Sequence, residues 1–363
     1  MPKLLISLKS IESQLFKKYS ALILVGSLTE KTKITQELSN NGFGRGKLSG
    51  FSVNVADSIP LIFRKKIKPD DWVLRMRPGD LLGVDALSSF SLFINNHENC
   101  DFFYSDDRRF NFVSDKGDAY FKPGWSPDLL LTSNYIGRAW VAERYLVDAV
   151  KENIFNYSDY DLVLRLTESA KSILHLDEVL SEQGDEGDSA AVEIEALKAA
   201  VKRRKLSASV HKGRCQGLYR IKRKVEKIHL VSIIIPTSAS NSYIEKCIKT
   251  LREKTSYRNF EIICVENIPP ERNEWKNWLL ENVDKIVFDA GFFNWSKFNN
   301  MAAQRARGHY LLFLNDDIEV ISSDWLDVLL EHAQRPEVGV VGPQLLYANG
   351  TVQHAGLALA DMG

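Results

Sequence analysis

The chain has 363 residues, 44% of them hydrophobic and 26% charged, an ordinary globular composition long enough for two domains at about 150 residues each. Its 47 basic and 47 acidic residues cancel, so no global field draws it to nucleic acid or to a membrane, and no nucleic-acid partner is expected. No window offers about 18 consecutive apolar residues for a membrane span, and MPKLLISLKSIESQLFKK lacks the small-residue cleavage site of a signal peptide.

In chain order, SLKSIESQLFKKYSALILVGS (Ser7 to Ser27) reads as a helix with apolar periodicity running into the strand Leu22–Val25. DFFYSDDRRF places Asp106 and Asp107 at a strand end, where the adjacent arginines point to local ion pairs. NYSDYDLVLRL starts a helix near Asp159, a residue type that caps helices well. SEQGDEGDSAAVEIEALKAAVKRRK (Ser181 to Lys205) reads as an acidic, glycine-containing loop. A linker helix follows over about 189–205, with acid at its start and base at its end. RIKRKVEKIHL is expected as an interdomain strand or linker whose basic run is a solvated face rather than a phosphate site. LVSIIIPTSAS is a buried strand stopped by Pro236, and CIKTLREKTSYRNFEIICVEN is again a helix leading into an apolar strand, Ile262–Val265. Last, RGHYLLFLNDDIEV is an apolar run, Tyr310 to Leu314, of the kind buried on both faces of a parallel sheet, and it breaks off at Asn315-Asp316-Asp317.

Two pairs of these segments match at one separation of about 240 residues. Ser7–Ser27 lies against Cys247–Asn267, and Asp70–Leu87 against Arg307–Leu326. The shared offset predicts an internal repeat of α/β domains, residues 1–225 and 226–363. The first is expected to lack its opening strand and the second its C-terminal half. Acids at the end of a strand stand where open α/β sheets bind ligands, and hard oxygens there suit Mg²⁺ or Mn²⁺. A plain strand-ending turn accounts for Asn and Asp equally well.

A family resemblance favours the first of these readings. VSIIIPTSASNSYIEKCIKTLREKTSYRNFEIICVEN, FNWSKFNNMAAQRARGHYLLFLNDDIEV and SSDWLDVLLEHAQRPEVGVVGPQLLYANGTVQHAG, in that order, resemble the nucleotide-binding half of a family 2 glycosyltransferase, especially those of bacterial O-antigen and rhamnose-rich polysaccharide assembly. The resemblance implies the inverting glycosyltransferase A fold, a Rossmann-like, mixed but mostly parallel sheet, here in two tandem domains. By it, Asn315 and Asp317 are the outer residues of a DXD metal motif with Asp316 beside them. Glu266 is the acid that accepts from the nucleobase imide, Pro236 and Thr237 belong to the loop over the base, and Asn300 lies near the diphosphate. Each has a plainer alternative: Glu266 as a helix cap, Pro236 as a strand end, Asn300 as a polar helix residue. The implied partners are a UDP- or dTDP-sugar donor with Mg²⁺ or Mn²⁺, and a lipid-linked glycan acceptor reached from the cytoplasm, with peripheral contact at the inner face of the membrane.

The first copy resembles the same family in FFYSDDRR, YFKPGWSPDLLLTSNYIG and NYSDYDLVLRL. An inverting enzyme needs a carboxylate to deprotonate the attacking hydroxyl, and the family places it just before an Asp-Leu-x-x-Arg helix, which makes Asp159 the candidate catalytic base. The copy departs elsewhere. Gly26 replaces the nucleobase acid, and Arg77-Pro78-Gly79 replaces DXD, with Asp80 one place further on. Arg77 repels a cation, although a guanidinium can bind phosphate. This copy is therefore expected to be degenerate as a metal-dependent enzyme and to hold acceptor glycan or scaffold its neighbour. Two functions stay open: metal-dependent inverting transfer to a bacterial surface polysaccharide, or a non-catalytic module that binds sugar nucleotide or glycan. A nucleotidyltransferase would need an early glycine-rich phosphate loop, which VSIIIPTSAS lacks. Cys100, Cys215, Cys247 and Cys264 have no CxxC spacing and read as reduced thiols.

Overall fold

The computed structural model describes residues 1–43, 51–55, 68–111, 116–150, 157–184 and 187–356. The chain divides into two compact units, Met1–Ile221 and Lys222–Gly363, and both are α/β.

The first unit opens with helix α1 (Pro2–Glu12), strand β1 (Ala21–Val25), helix α2 (Leu28–Leu38) and strand β2 (Phe51–Val55), which pairs in parallel with β1. Strands β3 (Trp72–Leu74) and β4 (Leu81–Leu82) precede helix α3 (Ala86–Asn96). Strands β5 (Phe102–Asn111), β6 (Lys116–Tyr120) and β7 (Trp140–Glu143) lead to helix α4 (Asp159–Ser169) and strand β8 (Ile173–Gln183). A six-stranded mixed sheet runs β3-β7-β5-β8-β4 with β6 beside β5; β5 and β8 are parallel and the other pairs antiparallel. Helix α1 is fastened to the β4 region by polar residues at helical spacing. The Gly79 and Leu82 amides donate to Ser7 Oγ and Ser10 Oγ at 2.8 and 3.2 Å, and Gln14 Nε2 donates to the Gly83 carbonyl at 2.6 Å. Ser7 and Ser10, at i and i+3, share one face of α1, and Gln14 follows just past its end.

Two expectations change in this unit. Asp106 and Asp107 lie inside the long β5, beside an irregularity in its pairing with β8, rather than at its end. β8 runs on to Gln183, so the acidic loop begins later than Ser181. After helix α5 (Ala190–Arg203), β9 (Ala208–Lys212) forms a hairpin with β10 (Tyr219–Arg223), so the start of RIKRKVEKIHL is a strand, as expected, and the rest follows it without regular structure. The hairpin's inner residues Ala208, Val210, Tyr219 and Ile221 join the main core, and that burial supplies the drive for pairing.

The second unit holds β11 (Val231–Thr237), α6 (Tyr243–Lys254), β12 (Phe260–Glu266), α7 (Asn273–Asn282), β13 (Lys285–Phe288), α8 (Trp295–Ala303), β14 (Tyr310–Phe313), α9 (Trp325–Ala333) and a small hairpin, β15 (Leu345–Leu346) with β16 (Val352–His354). Its sheet, β13-β12-β11-β14, is parallel throughout. The Ile-rich β11 and β12 are covered on both faces. Ile233, Ile235, Ile262 and Cys264 pack with Ile244, Ile248 and Leu251 of α6, while Ile234, Ile263 and Val265 pack with Phe298 and Ala302 of α8. The continuous apolar runs reflect this double burial.

Two further expectations are corrected here. β11 does not stop at Pro236 but runs through it to Thr237. The Ile234 carbonyl faces β14, so the missing Pro236 N–H falls on that same side, beyond the last rung of the ladder, where it leaves no bond unmade. β14 is not buried on both faces: it is an edge strand among the described residues and half-covered, with Tyr310 and Leu312 packed inward while Leu311 and Phe313 stay 43% and 45% exposed.

Candidate functional site

In the second unit the parallel sheet brings three strand ends together. Thr237 and Glu266 are register partners at the C-terminal ends of β11 and β12, and Asn315–Asp317 directly follow β14 on the other side of β11. Thr237 Oγ1 donates to Asp316 Oδ2 at 2.6 Å and accepts from the Ala239 amide at 2.9 Å, so one hydroxyl ties two strand ends and the following loop. That loop stores backbone strain: Ala239, Asn241 and Ser242 all sit in the left-handed region, at φ of 53°, 55° and 58°. Arg272 Nη1 donates to the Ala239 carbonyl at 2.7 Å and holds the turn.

Asp316 is half-buried, and burial raises its carboxyl above the ordinary range; the Thr237 bond lowers it and the neighbouring Asp317 raises it. Asn315 and Asp317 are exposed, and Trp295 Nε1 donates to Asn315 Oδ1 at 3.3 Å. Glu266 is buried. Its Oε1 accepts from the Ile268 amide at 2.7 Å and lies 3.5 Å from Lys276 Nζ, while Oε2 has no hydrogen bond among the described residues. Glu266 thus closes a local turn and caps no helix, and one carboxylate oxygen is left over.

Pro236 sits inside β11, one residue before the loop. Asn300 is exposed on α8, whereas its neighbour Asn299 is buried, with Nδ2 donating to Trp295 O at 2.8 Å and Oδ1 without a partner. Arg272 was not picked out from sequence, because the left-handed turn it holds exists only in the folded chain.

The donor chemistry fits a divalent cation. Among the described residues no three His, Cys, Asp or Glu side chains form a preformed cage, but Asp317 and Asn315 present a carboxylate and an amide oxygen at the open end of β14. Mg²⁺ is commonly held in this way, by one or two protein oxygens together with substrate phosphates.

A polar cluster in the first unit, around Asp80 and Asp159, is built from fixed ion pairs. Asp80 accepts Arg138 Nε and Nη2 at 2.8 and 2.7 Å, and the Arg77 and Gly184 amides at 2.8 and 2.9 Å. Asp159 contacts Arg77 at 2.9 Å, Arg138 at 3.2 Å and Arg75 at 3.4 Å, and Arg77 also binds Asp188 at 2.6 Å. Burial raises the Asp159 carboxyl despite the three guanidiniums that pull it down. Its alternative role as a helix cap is excluded, because Ser158 is the cap and accepts from the Asp161 amide. Asp159 also lines a polar cavity of about 330 Å³, together with Arg109, Asn134, Gln183, Glu193 and Gln216.

Asp107 does pair with a neighbouring arginine, Arg109, at 3.1 Å, and it is further neutralised by the fully buried Lys122 at 2.9 Å. Lys122 carried no sequence signal because its partner lies on another strand.

Residues 232–360 match the family model for glycosyl transferase family 2. The chain is 32% identical over 310 residues to the O-antigen biosynthesis protein RfbC of Myxococcus xanthus, covering 81% of this chain and 24% of that protein. It is 34% identical over 302 residues to the uncharacterized protein y4gI of Sinorhizobium fredii (strain NBRC 101917 / NGR234), covering 77% of this chain and 33% of that one. The chain therefore spans a quarter to a third of the length of these relatives. Among solved structures, S. aureus TarS 1-349 in complex with UDP-GlcNAc is similar with a TM-score of 0.40 and 15% identity, over 54% of this chain and 61% of that one.

Proposed function

The chain belongs to the family 2 glycosyltransferases through its second unit, and from this we propose that the second unit is the donor half of a metal-dependent, inverting transferase. The observation that carries the reading is the meeting of Thr237, Glu266, Asp316 and Asp317 at one C-terminal sheet edge, where α/β sheets bind ligands. Pro236 and Thr237 border the nucleobase, the remaining Glu266 oxygen accepts from its imide, and Asn300 approaches the diphosphate. Thr237 fixes Asp316, which leaves Asp317 and the neutral Asn315 to hold Mg²⁺ or Mn²⁺. When bound, the cation offsets charge developing on the leaving diphosphate. The donor is a UDP- or dTDP-sugar, and the acceptor is a lipid-linked glycan of a bacterial surface polysaccharide, in keeping with the likeness to an O-antigen biosynthesis protein.

For the first unit we propose a non-transferring role. Arg77 stands where the metal motif would begin and Asp80 is taken by Arg138, so Asp159, the base by position, has no cation site to serve among the described residues of its own unit. The polar cavity beside it suits the hydroxyls of an acceptor saccharide.

Calorimetric titration of UDP, and separately dTDP, with and without Mn²⁺, tests the donor site. Metal-dependent binding to the native chain that disappears in Asp317→Ala is expected. Failure of a folded native chain to bind either nucleotide would overturn the donor reading and leave the non-catalytic module in its place.

A further inference from the structure

Glu266 and Phe288 are register partners at the ends of β12 and β13. Cys264 and Ile286 face α6 and α7, so strand alternation turns Glu266 and Phe288 to that same side. Lys276 of α7 reaches both: its ammonium lies 3.5 Å from Glu266 Oε1 and 5.5 Å from the centre of the Phe288 ring. The first separation is longer than a hydrogen bond, and Lys276 donates to no other group among the described residues, so its N–H groups are uncommitted. Glu266 uses Oε1 for the Ile268 amide and keeps Oε2. Phe288 is 61% exposed, on a strand whose other residues are half-buried. Lys276 and Phe288 both fall in residues 268–292, between the segments that carry the family resemblance, so neither has a role by likeness.

We infer that Lys276 and Phe288 set the base specificity of the donor site, an inference that rests on the donor reading and names the residues that choose the base. Phe288 supplies the ring on which the base stacks. The loop Pro236–Ser242 contains no aromatic side chain and cannot do so. Glu266 Oε2 and Lys276 Nζ then present an acceptor beside a donor. The complement is an N–H beside a carbonyl, which uracil and thymine carry at N3 and C4. Cytosine carries the inverse there, a lone pair beside an amino group. Against it the carboxylate would meet a lone pair and the ammonium an N–H, and neither charged group would be satisfied. A site built to hydrogen-bond one edge rejects the other for that reason.

Calorimetric titrations with Mn²⁺, of UDP against CDP and of dTDP against 5-methyl-dCDP, test this, because each pair differs only at N3 and C4. The native chain is expected to favour the uracil or thymine nucleotide by at least about tenfold, the loss for an unmade bond to a charged group. Lys276→Met is expected to lower that nucleotide's affinity about tenfold and leave its cytosine counterpart unchanged, so the preference collapses, while Lys276→Arg retains it. Phe288→Ala is expected to weaken both members of a pair alike, by about tenfold, because stacking does not sense the edge. The Lys276 side chain is 26% exposed and Phe288 is at the surface, so an unchanged melting temperature is the control for folding. A native chain that binds UDP with metal but does not discriminate against CDP would overturn the inference and leave the donor reading standing. So would equal losses for UDP and CDP in Lys276→Met, which make the lysine structural, or undiminished binding in Phe288→Ala. No nucleotide binding by the folded native chain would overturn the donor reading itself, and this inference with it.

Discussion

Replacing Arg138 by Met tests the claim that ion pairing, rather than a metal, organises the centre of the first unit. The arginine side chain is 3% exposed and joins Asp80 through two bonds and Asp159 through one. Breaking a buried pair by removing one partner costs about 3–5 kcal/mol. The lower end applies here, because both acids keep company. Asp80 still accepts from the Arg77 and Gly184 amides, and Asp159 still contacts Arg77 and Arg75. About 3 kcal/mol, at roughly 2–4 °C per kcal/mol for a unit of this size, lowers the unit's Tm by about 6–12 °C. Asp80→Ala is expected to cost more, about 4–5 kcal/mol, because it removes two bonds from the buried guanidinium and orphans two amides together. Differential scanning calorimetry reads both, with UDP–Mn²⁺ binding as the check that the second unit is intact. A loss below about 1 kcal/mol for Arg138→Met, or the reverse order of the two variants, would refute the reasoning.

Thr237→Val removes the hydroxyl that fixes Asp316 beside Asp317, and calorimetry should show UDP–Mn²⁺ affinity falling about tenfold for a lost bond to a charged group. Gly184→Ala would place a Cβ 2.3 Å from the Gly79 carbonyl carbon, where neither backbone can yield; overpacking of about 3 kcal/mol should appear as a lowered first-unit melt. Glu261, at the opposite end of the second sheet, is buried, which alone would raise its carboxyl, but Ser232 and the amide and guanidinium of Arg307 together hold it below the usual carboxylate range. A lowered folded pKa gives stability that is present above the unfolded value, near 4.5, and is lost as pH falls through the folded one. Glu261→Gln should therefore destabilise the second unit at pH 7 by about 2 kcal/mol and flatten its acid-unfolding limb; an unchanged pH profile would remove this glutamate from the account.

How much was legible follows from the range of each force. The helix-then-strand pattern at Ser7–Ser27 and Cys247–Asn267, the buried Ile runs of β11 and β12, and the acids following Phe313 are local signals, and each became the element it suggested. Hydrophobic periodicity repeats within a few residues, so a sequence displays it directly. The placement of β14 at an edge and the continuation of β11 through Pro236 were not visible, because which strand neighbours which is decided by pairing across the whole unit.

Charge behaved differently again. The sequence alone determined that Asp159, Asp80, Arg77 and Arg138 are present in the first unit, and Asp316 and Asp317 in the second. Only the tertiary structure decided that Arg138 would grip Asp80, 58 residues away, that Arg77 would reach Asp188 across 111, and that Thr237 would bind Asp316 across 79. An ion pair or hydrogen bond is strong only when both groups are desolvated and within about 3 Å, and burial and distance are properties of the folded chain, not of its order of residues.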